Sequence, residues 1–499
     1  MEKKNLLEED PQTPVDIEEP GFLNFLKQKE QGRDLTLLSV FYLLLYFIVH
    51  YCYPYPLSTS DTGNYIFCAQ TGIYGGFRPI GYSWFLDLFH SISTSYSFIS
   101  KAQFLMTAGA TLFFLFTVKF FFPPKNKIFF YSFALALILS PVTLYLTHWA
   151  MSDSVFASLT LLWLTSGIWL MQRKSWGIAV FHFLVMFLAI EVRFAGLFYP
   201  LITSIMLLYI HRTKSSLLAA ISIIIPIVIY NDVKTTTRQL FKVDTFSGFS
   251  GWAQANNVVA ILPYIELDPQ SIRDAETRIT HRIISQFPDS VFKKERIIAT
   301  SFMWNKDFSG KEVLYFLMDQ NPESDYVQAW IYTGTLLEKY SKFLIAEYPW
   351  QYFKHFILMN TWQTFHPETT LLSYEARPVD DVTKAWYNDV EGVEKTEARF
   401  DLIGSYIAPL LGWACSTLWL VIVFSVVYGF IKRNEIPYNN MQKNILLYFF
   451  VFTILYLGFS IAAHPVHLRY LMPLHALQIS FIYFIFNGIK PRQELTDNT

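Results

Sequence analysis

Charged side chains are scarce in this chain, with 39 basic and 40 acidic residues among 499, or 16%, against roughly a quarter in an average soluble domain. That deficit excludes an ordinary soluble protein. No basic cluster accompanies the net charge of −1, which excludes nucleic-acid binding, since a binder concentrates Lys and Arg to neutralise phosphates. Three cysteines are too few for a disulfide scaffold or a thiolate metal site. A disulfide between Cys52 and Cys68 stays open, because spacing alone does not show the geometry it needs, and Cys415 reads as a small apolar residue inside a helix. There is no internal repeat and no low-complexity tract. The first residues lack the short basic segment and apolar core of a cleavable signal peptide, so the first apolar run is expected to be an uncleaved anchor.

Apolar residues, in contrast, make up 53% of the chain, and the charge that exists is unevenly spread. Residues 1–34 hold 14 charged side chains and residues 232–402 hold 42, which leaves 23 for the other 294 residues. A spanning helix needs about 20 apolar residues at 1.5 Å rise each. The remaining sequence divides into ten such runs: 35–53, 102–122, 128–147, 155–171, 176–190, 194–210, 217–230, 403–431, 445–463 and 470–489. The fifth, sixth and seventh are short, and are expected to tilt or to extend into their flanks. The fold class is therefore an all-α polytopic membrane protein of about ten transmembrane helices.

Basic residues accumulate in short cytoplasmic loops and so give the orientation. In a ten-span arrangement Lys119, Lys125, Lys127, Arg173, Lys174, Arg212, Lys214, Lys432, Arg433, Lys443, Lys490 and Arg492 fall on one side, and Arg78, Lys101, Arg193 and Arg469 on the other. Both termini are then cytoplasmic. The expected organisation is a polar tail over 1–34, a seven-span core over 35–230 with an outer loop at 54–101, a small and mostly helical outer domain over 231–402, three spans over 403–489, and a tail over 490–499. Residues 342–365 are rich in aromatics but interrupted by Glu347, Lys354 and His355, so they read as a helix lying in the membrane interface. The outer segments carry no Asn-x-Ser/Thr sequon, which favours a bacterial source.

Outside the tail and the large loop only seven acids remain, and Glu435, Glu494 and Asp497 fall in cytoplasmic segments. Asp61, Asp87, Asp153 and Glu191 all map to the outer face, where Arg78, Lys101, Arg193, Arg469, His148, His464 and His467 gather too. An ionisable group near membrane depth costs about 2.5–3.5 kcal/mol on insertion scales, so it is normally functional or paired. Plainer readings stand beside the functional one. Asp61 and Asp153 suit helix N-caps. Glu191 and Arg193 suit a mutual pair at a hairpin, Asp87 the wet edge of a surface helix, and the histidines packed or hydrogen-bonded positions.

Five short segments then tip the balance. Ser60-Asp61-Thr62-Gly63-Asn64-Tyr65 and Phe77-Arg78-Pro79-Ile80-Gly81-Tyr82-Ser83-Trp84-Phe85-Leu86 resemble the first outer loop of the GT-C membrane glycosyltransferases, the superfamily that includes protein mannosyltransferases and aminoarabinose transferases. Met151-Ser152-Asp153-Ser154-Val155-Phe156 resembles its acidic motif before the fourth span. Val192-Arg193-Phe194-Ala195-Gly196-Leu197 resembles its basic-x-x-Gly-Leu turn, and Arg469-Tyr470-Leu471-Met472-Pro473 its late Arg-Tyr-x-x-Pro motif. Two features depart from the family: the first-loop acid is single, and the large outer domain lies between the seventh and eighth spans. A further segment, Gly248-Phe249-Ser250-Gly251-Trp252, has no chemical role in this reading beyond an aromatic turn.

The resemblance implies an inverting transfer of a sugar from a polyprenyl-phosphate donor to a glycan, lipid or protein acceptor, on the periplasmic face of a bacterial inner membrane. It implies Asp61 as the base, with Asp153 orienting the acceptor, and Arg469, Arg193, Arg78 and Lys101 on the donor phosphate, where a guanidinium grips two oxygens. Tyr65, Tyr82, Glu191, His464 and His467 would line the substrate pocket, and the aromatic residues of 65–84 and 348–362 would hold the prenyl tail. It singles out no cofactor. A divalent metal cation shared by Asp61 and Asp153 is an open alternative. Two other classes also fit a polytopic chain: a lipid or glycan transporter or flippase, which would line a path through both leaflets with polar residues, and a non-catalytic glycan-assembly protein with the same fold.

Overall fold

The structure is a computed structural model that describes residues 21–59, 61–173, 175–211, 215–294, 296–298, 301–302, 309–323, 325–369, 372, 377–432 and 436–488. Most of both expected tails, Ser60, and the expected loop residues Lys174, Arg212, Lys214, Arg433, Glu435, Lys490, Arg492, Glu494 and Asp497 lie outside them. The chain is an all-α polytopic membrane protein. Among the described residues eight helices are long and apolar enough to cross a membrane: Lys29–Cys52, Ser97–Phe121, Ser152–Gln172, Phe194–His211, Ser216–Phe241, Leu402–Ile431, Asn440–Ala463 and Leu468–Gly488. Lys127–Ile138 and Trp176–Val192 are shorter apolar helices. Among the described residues the only paired strands are two-residue ones, Arg377–Pro378 with Lys395–Thr396.

These segments share one core and form a bundle with polar contacts at two ends. At one end Asp34 accepts from Lys119 Nζ and Tyr131 Oη, each at 2.7 Å, while the Asn487 side chain reaches the 123–125 turn. At the other end, across the isolated bridge Leu57–Trp149, the Leu57 N–H donates to the His148 carbonyl and the Leu57 carbonyl accepts from the Ala150 N–H, and Tyr53 Oη donates to Asp401. The centre is aromatic. Trp163, fully buried on the helix Ser152–Gln172, lies 4.3 Å from the Tyr199 ring and 5.7 Å from Phe452.

Several boundaries differ from the sequence reading, each for a local reason. The expected run 128–147 breaks at Ser140, because Pro141 has no N–H to continue the ladder, and a second short helix, Pro141–Leu146, starts there under a Ser140 cap. The seventh segment continues as helix to Phe241, so the polar domain begins about eleven residues later than 231. The range 342–365 is two helices. Tyr326–Glu347 ends at Tyr348, whose φ and ψ are −127° and 52°, and Pro349 opens a new run that includes a π-helical turn at Phe353–Ile357. In that run Trp350 and Trp362 face outward. Cys52 and Cys68 are both free thiols.

Between Phe241 and Leu402, residues 252–356 have a core of their own around Trp252, Leu337, Tyr340 and Phe356, whereas Leu372, Val379, Tyr387 and Val390 pack into the core of the bundle. The polar domain meets the bundle at the second end, where Asn257 donates to the Ala463 carbonyl and the Leu468 N–H donates to the Glu368 carbonyl, and along the helix Leu402–Ile431, where Trp419 Nε1 donates to the Thr364 carbonyl at 2.9 Å.

Candidate active site

The loop after the first span folds into two surface helices, Thr62–Thr71 and Gly81–His90. Their seating depends on small residues. A Cβ on Gly81 would collide with the backbone of Glu191, so glycine lets this helix touch the end of the helix Trp176–Val192. Thr62 Oγ1 accepts from the Thr59 N–H at 2.8 Å and donates to the Ala150 carbonyl at 3.1 Å, which pins the first helix to the turn before Ser152. The Asp61 side chain makes no cap bond.

Asp61 instead accepts from Arg78 Nη2 at 2.5 Å, and Arg78 Nη1 donates to Tyr65 Oη at 3.1 Å. Tyr65 Oη lies 3.1 Å from Ser152 Oγ, so the network reaches the residue before Asp153. Burial works against the Arg78 charge, but Tyr65 and Asp61 outweigh it and hold the guanidinium above its ordinary pKa. Asp153 lies in the first turn of the helix Ser152–Gln172 and is almost wholly buried. It pairs with Arg193, not with a backbone cap.

Beside this pair is a pocket lined by Asp153, Arg193, Arg469, His464, Tyr456 and Tyr470, with Phe156, Phe459 and Pro473 as apolar walls. Tyr470 organises its cations: the guanidinium of Arg193 lies 5.3 Å from its ring centre and that of Arg469 4.9 Å, and Arg469 Nη2 donates to its hydroxyl at 2.9 Å. The other contact of Arg469 is Met151 Sδ at 3.5 Å. Its hydrogen-bond partners among the described residues are therefore neutral. Asp153 Oδ2, His467 Nε2 and the Nε atoms of Arg78 and Arg469 are buried without a hydrogen-bond partner there, and are the polar capacity a ligand can use.

The two histidines differ. His464 lines the pocket 4.3 Å from the Tyr470 ring, and burial pushes its pKa down to about 4. His467 is buried and does not line the pocket, and its pKa is lowered well below the ordinary value by burial and then by Arg469. Its Nδ1 accepts from the Arg469 N–H at 3.2 Å, which assigns the ring proton to Nε2.

Other sequence candidates lie apart. Tyr82 is fully buried, with its hydroxyl on Gln103 Oε1 at 2.8 Å. Lys101 is half-buried on the helix Ser97–Phe121 and does not line the pocket, and Asp87 is exposed on the wet edge of its helix. Glu191 is buried beneath Gly81, with Asp232 as a charged neighbour, and makes no pair with Arg193. Tyr470 was missed as a site residue, although its place next to Arg469 was the available signal.

A shared metal at Asp61 and Asp153 does not fit this donor set. Each carboxylate is engaged by a guanidinium, and among the described residues no three His, Cys, Asp or Glu side chains gather.

No protein-family model and no curated protein matches the sequence. Among solved structures the chain is similar to ArnT from Cupriavidus metallidurans bound to undecaprenyl phosphate, at 12% identity over 91% of this chain and 77% of that one, with a TM-score of 0.33. It is similar to the apo state of the same ArnT at 12% identity over 92% and 78%, again with a TM-score of 0.33. So loose a superposition fixes no residue of the site.

Proposed function

We propose that the chain is a GT-C-type membrane glycosyltransferase that moves a sugar from a polyprenyl-phosphate donor to an acceptor hydroxyl or amine, inverting the anomeric carbon. One observation carries this reading. Two guanidiniums but one carboxylate line the pocket, and the second guanidinium, Arg469, has only neutral hydrogen-bond partners among the described residues. Asp153 and Asp61 favour its charge without touching it, but two guanidiniums against one carboxylate leave the pocket an excess of positive charge, which is unfavourable at the end of an apolar bundle without a counter-charge. A lipid phosphate supplies one, and guanidiniums suit its oxygens.

The chemistry follows from that assignment. The acceptor oxygen or nitrogen attacks the anomeric carbon, the bond from that carbon to the phosphate oxygen breaks, and the lipid phosphate leaves with the electron pair. Arg469 and Arg193 stabilise the charge that grows on the phosphate. A carboxylate takes the acceptor's proton. Asp61 has the better access for that role, because 22% of its side chain is exposed against 3% for Asp153. Asp153 then serves by holding Arg193. No step is assigned to a metal.

In the same reading all ten helical segments cross the membrane, both termini are cytoplasmic, and the site faces the periplasm from a bacterial inner membrane. The acceptor is a glycan, lipid or protein. The test is transfer in vitro by purified protein from a panel of polyprenyl-phosphate sugars. Loss of transfer in Asp61→Asn supports the reading, and a wild type that neither transfers a sugar nor binds polyprenyl phosphate overturns it.

A further inference from the structure

The segment Gly248-Phe249-Ser250-Gly251-Trp252 forms the opening of the helix Gly248–Val258, which crosses the helix Tyr326–Glu347 in the polar domain. The crossing is made of glycines: a Cβ on Gly251 would fall on the Gly334 carbonyl, and one on Gly334 would fall on the Gly248 carbonyl. With the backbones in contact, the large rings beside the crossing form a socket. Trp252 stacks on Trp330 at 5.4 Å and donates through Nε1 to the Trp330 carbonyl at 3.1 Å.

Phe77 enters that socket. Its ring lies 4.8 Å from Trp330 and 5.6 Å from Phe249. The backbone before it is fixed as well. Gly75 and Gly76 take φ values of 98° and 66°, which favour glycine, and the Gly76 carbonyl accepts from the Gly248 N–H at 2.6 Å. A Cβ on Gly76 would come within 2.7 Å of Ile331 Cδ1, so the turn fills the space it has. The next residue is Arg78, whose guanidinium covers the Phe77 ring at 4.7 Å and reaches Asp61 at 2.5 Å.

We propose that this glycine-crossed helix pair is a positioning part of the site: its aromatic socket grips Phe77 and so sets the Arg78 guanidinium against Asp61. The proposal rests on the glycosyltransferase reading for its effect on turnover, though not for its effect on where residue 78 sits. An arginine on a loop has many rotamers to lose, and a displacement of about 1 Å in a reacting group can cost 10²-fold in rate. Seating the adjacent ring and backbone on a separate domain limits that freedom. Phe77, Trp330, Phe249 and Gly248 are positioning residues, since they act through Arg78.

The experiment uses the full-length protein and has two arms. In the first, Arg78→Cys, in a protein whose Cys52, Cys68 and Cys415 are replaced by serine, is alkylated with a water-soluble maleimide, alone and combined with Trp330→Ala, Trp330→Phe or Phe77→Ala. Both alanine variants should speed alkylation roughly tenfold by opening the turn locally, and Trp330→Phe, which keeps a ring in the socket, should leave the rate near that of Arg78→Cys alone. In the second arm, Phe77→Ala should lower turnover by about 10- to 10²-fold, yet lower it little further in an Arg78→Lys background, because both changes act on one contact. Unchanged alkylation in variants that keep the parent's melting temperature overturns the proposal, and so do turnover losses that multiply. Faster alkylation in a protein that neither transfers sugar nor binds polyprenyl phosphate upholds the positioning and overturns the glycosyltransferase reading instead.

Discussion

Arg193 pairs with Asp153, forty residues away in sequence, and not with Glu191, two residues away. Residues two apart on a helix point to different faces, and Arg193 has already left the helix, with φ −153° and ψ 131°. Its side chain can therefore turn to the pocket while that of Glu191 stays beneath Gly81. Removing one partner of a largely buried ion pair costs about 3–5 kcal/mol, because the other charge remains. Asp153→Ala is expected to lower the melting temperature in detergent well below that of Glu191→Ala, and similar losses in the two variants would refute the pairing.

Arg469 is expected to act on the donor and not as a helix anchor. Arg469→Ala should weaken polyprenyl-phosphate binding by about tenfold or more, since a hydrogen bond to a charged group contributes about 1.5–3 kcal/mol. Arg469→Lys keeps the charge but loses the planar fork, and should fall between alanine and wild type. A dissociation constant unchanged in Arg469→Ala would leave Arg193 to bind the phosphate alone.

The sequence disclosed much of this arrangement because charge is rare in it. Against an apolar background Asp61, Asp153, Arg193 and Arg469 stood out individually, and the apolar runs located the helices. Pairing did not stand out, since which loop lies against which depends on contacts such as Thr62 on Ala150 and Gly81 on Glu191. Element ends were misread where composition and backbone disagree: Asp232, Lys234 and Arg238 look like domain residues but continue a helix to Phe241, whereas Pro141 interrupts an apolar run that looks continuous. The Phe249 segment was opaque for the same reason. Its use depends on a glycine crossing with residues some eighty positions later.

Acid should weaken the protein through His464. The pKa of this imidazole falls from 6.5 to about 4 on burial beside Arg193 and Arg469. Between those values the unfolded chain binds the proton more readily than the folded one, so stability declines as the pH drops from 6.5 towards 4. Melting temperatures across that range should fall less in His464→Gln than in wild type. Parallel curves for the two proteins would remove His464 from the account.

Orientation has its own check. On the proposed orientation, which follows the division of basic residues, the polar domain lies outside the cytoplasm, so Lys294→Cys, with Cys52, Cys68 and Cys415 replaced by serine, should react with a membrane-impermeant maleimide applied from the outside of intact cells. Labelling only after the cytoplasmic side is exposed would invert the topology and move the site with it.

In the proposed reaction Asp61 is the proton acceptor for sugar transfer from a lipid phosphate. Asp61→Asn keeps the size of the side chain and removes the base, whose contribution is typically 10²- to 10⁴-fold. The most direct measurement is the single-turnover rate of transfer from a polyprenyl-phosphate sugar, for wild type and Asp61→Asn, with donor binding measured on the same preparations. A rate reduced by about 10² or more at nearly unchanged donor affinity is the predicted result. An Asp61→Asn rate within about threefold of wild type would contradict it, because it would leave the carboxylate with no more than its structural contact to Arg78.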